Sequence, residues 1–203
     1  MTKKIFTAVS FVFHPVFMPL VGIFIILSLS HLAMLPFEGK KAILLIVAIT
    51  TLFFPLAVLP VLYYQKLITK ITVTERKERL LPMFLTILFY YFGYYILHKY
   101  SAPVYLQHFL LATILSISLA SIIHLKWKIS THMIGIGGIL GLLSSMGFLF
   151  QTHFSNLMML VILSAGLIGT SRLYLKEHNH LQIYSGFILG YLVTFLTIVL
   201  MNI

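Results

Sequence analysis

Apolar residues run along this chain in long stretches, roughly 16–35, 42–64, 80–98, 104–124, 130–150, 156–175 and 181–201, joined by short polar connections. Each is close to the ~20 residues a helix needs to cross the hydrocarbon core of a bilayer. The expected fold is all-α: a polytopic transmembrane helix bundle of about seven helices. Pro55 and Pro60 fall inside the second stretch and predict a kink there. Such a kink is tolerated where neighbouring helices cover the carbonyls it releases. No internal repeat, low-complexity segment or long linker divides the chain, so residues 1–203 are expected to form a single integral membrane domain.

The start, Met1 to Lys4 and then an apolar run, has the outline of a signal peptide. The run continues to about Leu35, is interrupted by Pro15 and Pro19, and has no clear small-residue cleavage site, which predicts a retained first helix. The last three stretches pair small residues at close-packing spacing: Gly137 with Gly141, Ala165 with Gly169, and Gly186 with Gly190. In lipid such pairs let helix backbones approach and gain dispersion contacts. The Gly135, Gly137, Gly138 cluster therefore reads as packing, because no strand precedes it as a nucleotide loop requires.

Composition supports lipid as the solvent: 60% of residues are hydrophobic and only 9% charged, with a mean hydropathy of +1.05. The net charge of +10 arises from 14 Lys and Arg against 4 acids. These cations sit in short loops between apolar runs, which points to anionic lipid or phosphate as partner and away from nucleic acid. The acids are Glu38, Glu75, Glu78 and Glu177, with no Asp, so a carboxylate-rich metal centre is not expected. No cofactor is expected either. The absence of cysteine excludes disulfides and thiolate chemistry. With seven crossings, the N-terminus and the loops after the second, fourth and sixth stretches share one face. That face carries 11 of the Lys and Arg residues and the other face 3, so the positive-inside rule makes the first face cytoplasmic.

Three polar segments on that face carry the chemistry. They are Thr74-Glu75-Arg76-Lys77-Glu78-Arg79 followed by Pro82; Lys126-Trp127-Lys128-Ile129-Ser130-Thr131-His132; and Ser171-Arg172, five residues, then His178 with Gln182 beyond it. A phosphate monoester is close to dianionic near neutral pH, and its transfer spreads charge over three equatorial oxygens. Guanidinium groups grip those oxygens in a planar fork. Ser130 and His132 open a helix whose unpaired N–H groups favour an anion. One imidazole can attack phosphorus while another protonates the departing oxygen, with no metal needed.

At these residues the chain resembles the type-2 phosphatidic acid phosphatase superfamily, the membrane histidine phosphatases, over roughly 70–190. Ser171-Arg172-x5-His178 matches that family's third motif in full spacing. Ile129-Ser130-Thr131-His132 keeps the serine and histidine of the second but loses its proline and glycine. Arg79-Leu80-Leu81-Pro82 is a looser version of the first, with two residues inserted between arginine and proline, and Thr72 stands where the family has lysine. Arg76 or Lys77 is the candidate substitute. The resemblance implies a phosphatase-like core with three motif loops on one face. It implies His178 as the nucleophile that forms a phosphohistidine, His132 as the acid for the leaving group, and Arg172, Arg79 and Ser130 as phosphate-holding groups. Activity on a lipid phosphate or pyrophosphate follows, in a multi-pass protein of a bacterial cytoplasmic membrane.

One departure is at Gln182, where the family has Asp. A carboxylate there accepts the imidazole N–H, fixes the tautomer and stabilises the developing cation. An amide oxygen accepts the bond without the charge, and a flipped amide favours the wrong tautomer. In a serine protease, changing the Asp beside the catalytic histidine to Asn lowers kcat by about 10⁴. Three outcomes stay open: a slow enzyme, one that recruits Glu75 or Glu78, or a catalytically silent protein that binds or transports lipid phosphates. His132 and His178 also have a plainer reading as interfacial histidines. His124 and His180 have no motif support, and His31, His98, His108 and His153 lack the pairing of a metal site. The run Phe89, Tyr90, Tyr91, Phe92, Tyr94 and Tyr95 reads first as helix packing. His14-Pro15 reads as a kink that could approach the site.

Overall fold

The computed structural model describes residues 2–29, 31–70 and 77–202. Among them there is no strand, and seven helical segments are long and apolar enough to cross a membrane. These are Lys3–Leu29, Phe37–Tyr64, Leu80–Lys99, Val104–His124, Thr131–Phe150, Ser155–Tyr174 and His180–Asn202. The chain is thus an all-helical, multi-pass membrane protein. The first span differs from expectation: it starts at Lys3 and ends at Leu29, and a short 3-10 turn, His31–Met34, follows.

The first span consists of α1 (Thr2–Val12), a 3-10 turn (Pro15–Phe17) and α2 (Met18–Leu29). Pro15 sets the break, because its ring disfavours helical geometry at the preceding residue. His14 accordingly has φ −64° and ψ 135°, and its Nδ1 accepts the Val16 N–H at 3.4 Å.

The second span is one helix with a π turn (Ile49–Phe53) between α3 (Phe37–Ala48) and α4 (Phe54–Tyr64). Here the expected proline kink takes a specific form. Pro55 has no N–H to give and its ring crowds the carbonyl four residues back, so the helix widens just before it. Thr50 and Thr51 sit in that turn and donate to the Ile46 and Val47 carbonyls, each at 2.8 Å. Next come α5 (Leu80–Lys99), α6 (Val104–His124), α7 (Thr131–Phe150), α8 (Ser155–Tyr174) and α9 (His180–Asn202).

The described residues group into two compact units: one is 1–18 with 128–203, the other 19–127. In the second unit, Phe109, Leu106 and Leu110 of α6 are fully buried. Gly22 and Gly93 make room there for the Phe109 ring and the Thr50 hydroxyl, respectively. Tyr90 is buried, as a packing role for the aromatic run requires, whereas Tyr91, Phe92 and Tyr95 are exposed.

The first unit contains α1, α7, α8 and α9. Its tightest contact joins α7 to α9 through the expected glycines. A Cβ at Gly137 would strike the Phe187 carbonyl, one at Gly141 the Tyr191 carbonyl, and one at Gly190 the Ile134 carbonyl. Gly169 is different: a Cβ there would meet Ile183 Cγ2 at an ordinary 3.4 Å. Close approach is therefore enforced on one helix pair and not at the Ala165/Gly169 pair. On the other side, α1 packs on α8, with the Phe6 and Tyr174 ring centroids 4.4 Å apart.

Candidate functional site

The ends of α8, α9 and α7 bring the second and third motifs together within the first unit. α8 closes with paired bonds, Glu177 N–H to the Arg172 carbonyl at 3.1 Å and Lys176 N–H to the Leu173 carbonyl at 2.9 Å. Lys176 adopts left-handed φ 55°. This is a Schellman cap, which satisfies carbonyls that a helix end otherwise leaves open. It turns the chain so that Glu177 faces back over Arg172. Glu177 Oε2 lies 3.6 Å from Arg172 and 3.7 Å from Lys128.

One residue later α9 begins with a capping box. Asn179 Oδ1 accepts the Gln182 N–H at 3.0 Å, and Gln182 Oε1 accepts the Asn179 N–H at 3.2 Å. The same Gln182 oxygen lies 3.0 Å from His178 Nδ1. The Asn179 backbone N–H can only donate, so the amide oxygen must face it, and the flipped orientation is excluded on physical grounds. In the neutral imidazole His178 Nδ1 then carries the proton, and Nε2 is the acceptor nitrogen. Gln182 thus sets the tautomer a nucleophilic histidine requires, without supplying a charge.

Ser130 precedes α7 in extended backbone geometry (φ −84°, ψ 106°). Its N–H donates to the Gln182 carbonyl at 3.2 Å, which ties the start of α7 to the first turn of α9. Gly186 permits the approach: a Cβ there would sit 2.7 Å from the Ser130 carbonyl oxygen. A serine at this position ordinarily caps the helix with its hydroxyl. Ser130 does not, and its Oγ is fully buried with no hydrogen-bond partner among the described residues.

His132, in the first turn of α7, is buried. Its Nε2 lies 3.1 Å from the Ser10 carbonyl of α1. A carbonyl only accepts, so Nε2 carries a proton and Nδ1 is the other, chemically variable position. His14 packs edge-on against this ring, with centroids 5.3 Å apart. His14, Arg172 and His178 all lie within electrostatic range of the His132 imidazole. The proline break in the first span therefore does more than kink the chain; it sets His14 beside a motif histidine.

Arg172, the last-turn cation of α8, has a side chain only 11% exposed. Its NH1 donates to Ser10 Oγ at 3.4 Å, and Ser10 Oγ lies 2.8 Å from Ser171 Oγ. Ser10 and Glu177 are the participants that sequence reading missed. Ser10 gives no local signal, since its partner Ser171 is 161 positions away. Glu177 was detectable, as the acid between Arg172 and His178.

Arg79 belongs to the second unit, half-buried just before α5. Lys77 begins the 3-10 turn Lys77–Arg79, and its side chain, like the whole of Arg76 and Glu75, lies outside the described residues. Glu78, the other acid considered as a partner for His178, accepts from Thr69 N–H at 3.0 Å. No group of three or more His, Cys, Asp or Glu that could hold a metal ion occurs among the described residues.

No family model, curated protein or solved structure matches this chain.

Proposed function

We propose that the chain is a metal-independent lipid phosphatase or phosphotransferase that acts on a lipid phosphate or pyrophosphate through a phosphohistidine on His178. The observation that carries this reading is the His178–Gln182–Asn179 arrangement. A capping box locks the amide, the amide fixes the imidazole, and the lone pair is left on Nε2. Arg172 and the buried Ser130 hydroxyl stand on the adjoining helix ends, as an anion site requires.

The chemistry runs in two steps. His178 Nε2 attacks phosphorus and the bond to the lipid oxygen breaks. The departing oxygen takes a proton from Nδ1 of His132, a ring that the bound phosphate dianion keeps doubly protonated and whose Nε2–H stays on the Ser10 carbonyl. His132 then accepts a proton from water as the water attacks the phosphohistidine, which releases phosphate and restores His178. Arg172 holds the equatorial oxygens throughout. The motif segments face the cytoplasm, where the anionic headgroup is bound while its tail remains in lipid.

The decisive experiment is phosphate release by detergent-purified protein from a panel of lipid phosphates in EDTA, with His178→Ala as control. Release that persists in EDTA and vanishes in the variant is the expected result. Equal release by both proteins sinks the assignment. The neutral amide at 182 favours a second reading, a silent lipid-phosphate binder or transporter. That reading predicts headgroup-dependent binding weakened by Arg172→Ala and no turnover, and phosphohistidine at His178 excludes it.

A further inference from the structure

We propose that Ser10, in the N-terminal helix α1, is a positioning residue of the phosphate site, holding the Arg172 guanidinium in place for an oxyanion. The proposal rests on the phosphate-site reading above and deepens it.

The hydrogen bonds around Ser10 have only one consistent set of directions. Ser171 Oγ lies 2.7 Å from the Phe6 carbonyl, which can only accept, so the Ser171 proton is spent there. Ser10 must then donate to Ser171 Oγ across 2.8 Å. The lone pairs of Ser10 Oγ are left to accept from Arg172 NH1, which can only donate. The chain runs one way, from guanidinium to Ser10 to Ser171 to the Phe6 carbonyl, with Ser10 and Ser171 both buried.

A serine inside a helix usually donates to the carbonyl four residues back on its own helix. Thr7 follows that habit, donating to the Lys3 carbonyl at 2.9 Å. For Ser10 that carbonyl belongs to Phe6, and Ser171 of α8 has taken it. The exchange turns the Ser10 hydroxyl outward from α1 and onto the last turn of α8, where Arg172 stands. Ser10 also presents its backbone carbonyl to His132, so one residue meets both the anion-gripping and the proton-carrying side chains. Simple packing of α1 on α8 requires none of these polar contacts.

The test is a double-mutant cycle on the full chain in detergent, with orthophosphate affinity as the first readout and lipid-phosphate hydrolysis as the second. Ser10→Ala should weaken orthophosphate binding about three- to tenfold, the effect of losing one long hydrogen bond to a charged group. On an Arg172→Ala background it should add nothing, because Ser10 acts through Arg172. Ser10→Thr, which keeps the hydroxyl, should restore most of the affinity. If the alanine variant does not fold, Ser10→Cys, a weak hydrogen-bonding residue of similar size, carries the cycle. Equal losses on both backgrounds, or wild-type affinity in the single variant, overturn the proposal. A wild-type protein that binds orthophosphate but never turns over lipid phosphates refutes the phosphatase reading and leaves the cycle to judge Ser10. Failure to bind orthophosphate at all overturns both.

Discussion

Replacing Gln182 with Glu adds one negative charge beside His178 while keeping the reach of the side chain. In the native site Gln182 Oε1 already serves the Asn179 N–H at 3.2 Å and His178 Nδ1 at 3.0 Å. A Glu oxygen can make both bonds, and Glu is the ordinary partner in a capping box. The tautomer therefore does not change, and only the electrostatic support for the imidazolium-like nitrogen does. Opposite charges about 4 Å apart attract by roughly 4 kcal/mol at an effective dielectric constant near 20, and by about 0–1 kcal/mol when fully exposed. Gln182 is half-buried, so a gain of roughly 1–2 kcal/mol is expected, or about 5- to 30-fold in the rate of phosphohistidine formation. That is well short of the ~10⁴ lost on Asp-to-Asn exchange in a serine protease, because there the tautomer changes as well. Gln182→Asp should gain less, since the shorter side chain cannot keep both bonds. The assay is single-turnover labelling of His178 with a lipid phosphate, with thermal unfolding as control, because a carboxylate at a helix N-terminus also adds about 0.3–1 kcal/mol of stability. An unchanged or lower labelling rate in a protein of equal or higher Tm would refute the argument that Gln182 supports a nucleophilic His178.

Three further outcomes follow from the packing and caps. Gly190→Ala should destabilise by about 1–3 kcal/mol, the usual effect of overpacking, because its Cβ meets the Ile134 backbone carbonyl. Gly166→Ala meets nothing within 4 Å and should be neutral or stabilising by up to about 1 kcal/mol through helix propensity; equal Tm shifts for the two would contradict the α7–α9 contact. Lys176→Gly should stabilise by about 1 kcal/mol in thermal unfolding, since Lys176 stands at φ 55° in the α8 cap, and a loss of stability would argue against that cap. Glu177→Gln should tighten orthophosphate binding about two- to fivefold by removing a partly exposed carboxylate that competes for Arg172 and Lys128. Weaker binding in that variant would assign Glu177 the role of holding Arg172 in place.

The spans were legible because lipid rewards uninterrupted apolar length, and six of them follow the hydropathy pattern closely. The first was legible in existence but not in its bounds, because Pro15 and Pro19 look like a boundary in sequence, whereas two short helices continue through them to form one segment. The Gly137, Gly141, Gly186 and Gly190 contact could be read because backbone approach demands the absence of a side chain. Gly169 has the same spacing and no such demand. The candidates His132, Ser130, Arg172, His178 and Gln182 all belong to one unit, and local motif spacing was enough to single them out as candidates. Ser10 was beyond reach, since its role depends on which carbonyl Ser171 takes. The amide orientation of Gln182 was within reach: Asn179-x-x-Gln182 is a capping-box pattern, and it fixes which atom faces the histidine.

The spacing of the third motif has a structural cause. Arg172 begins a Schellman cap that ends on Glu177, and Asn179 begins a capping box that ends on Gln182. His178 is the single residue between them. The Schellman cap ends one helix by turning Glu177 back toward Arg172, and the capping box starts the next by aiming Gln182 back at His178. A histidine in this position is held from both sides by bonds that the two helix ends must make in any case. That also accounts for a long, oxygen-bearing side chain at 182: the helix start needs an oxygen that reaches the Asn179 N–H, and Gln supplies it. One residue inserted between His178 and Asn179 would leave both caps intact and free the imidazole from Gln182. Such a variant separates the contribution of the caps to folding from the contribution of their spacing to chemistry: stability near wild type, and labelling of His178 lost.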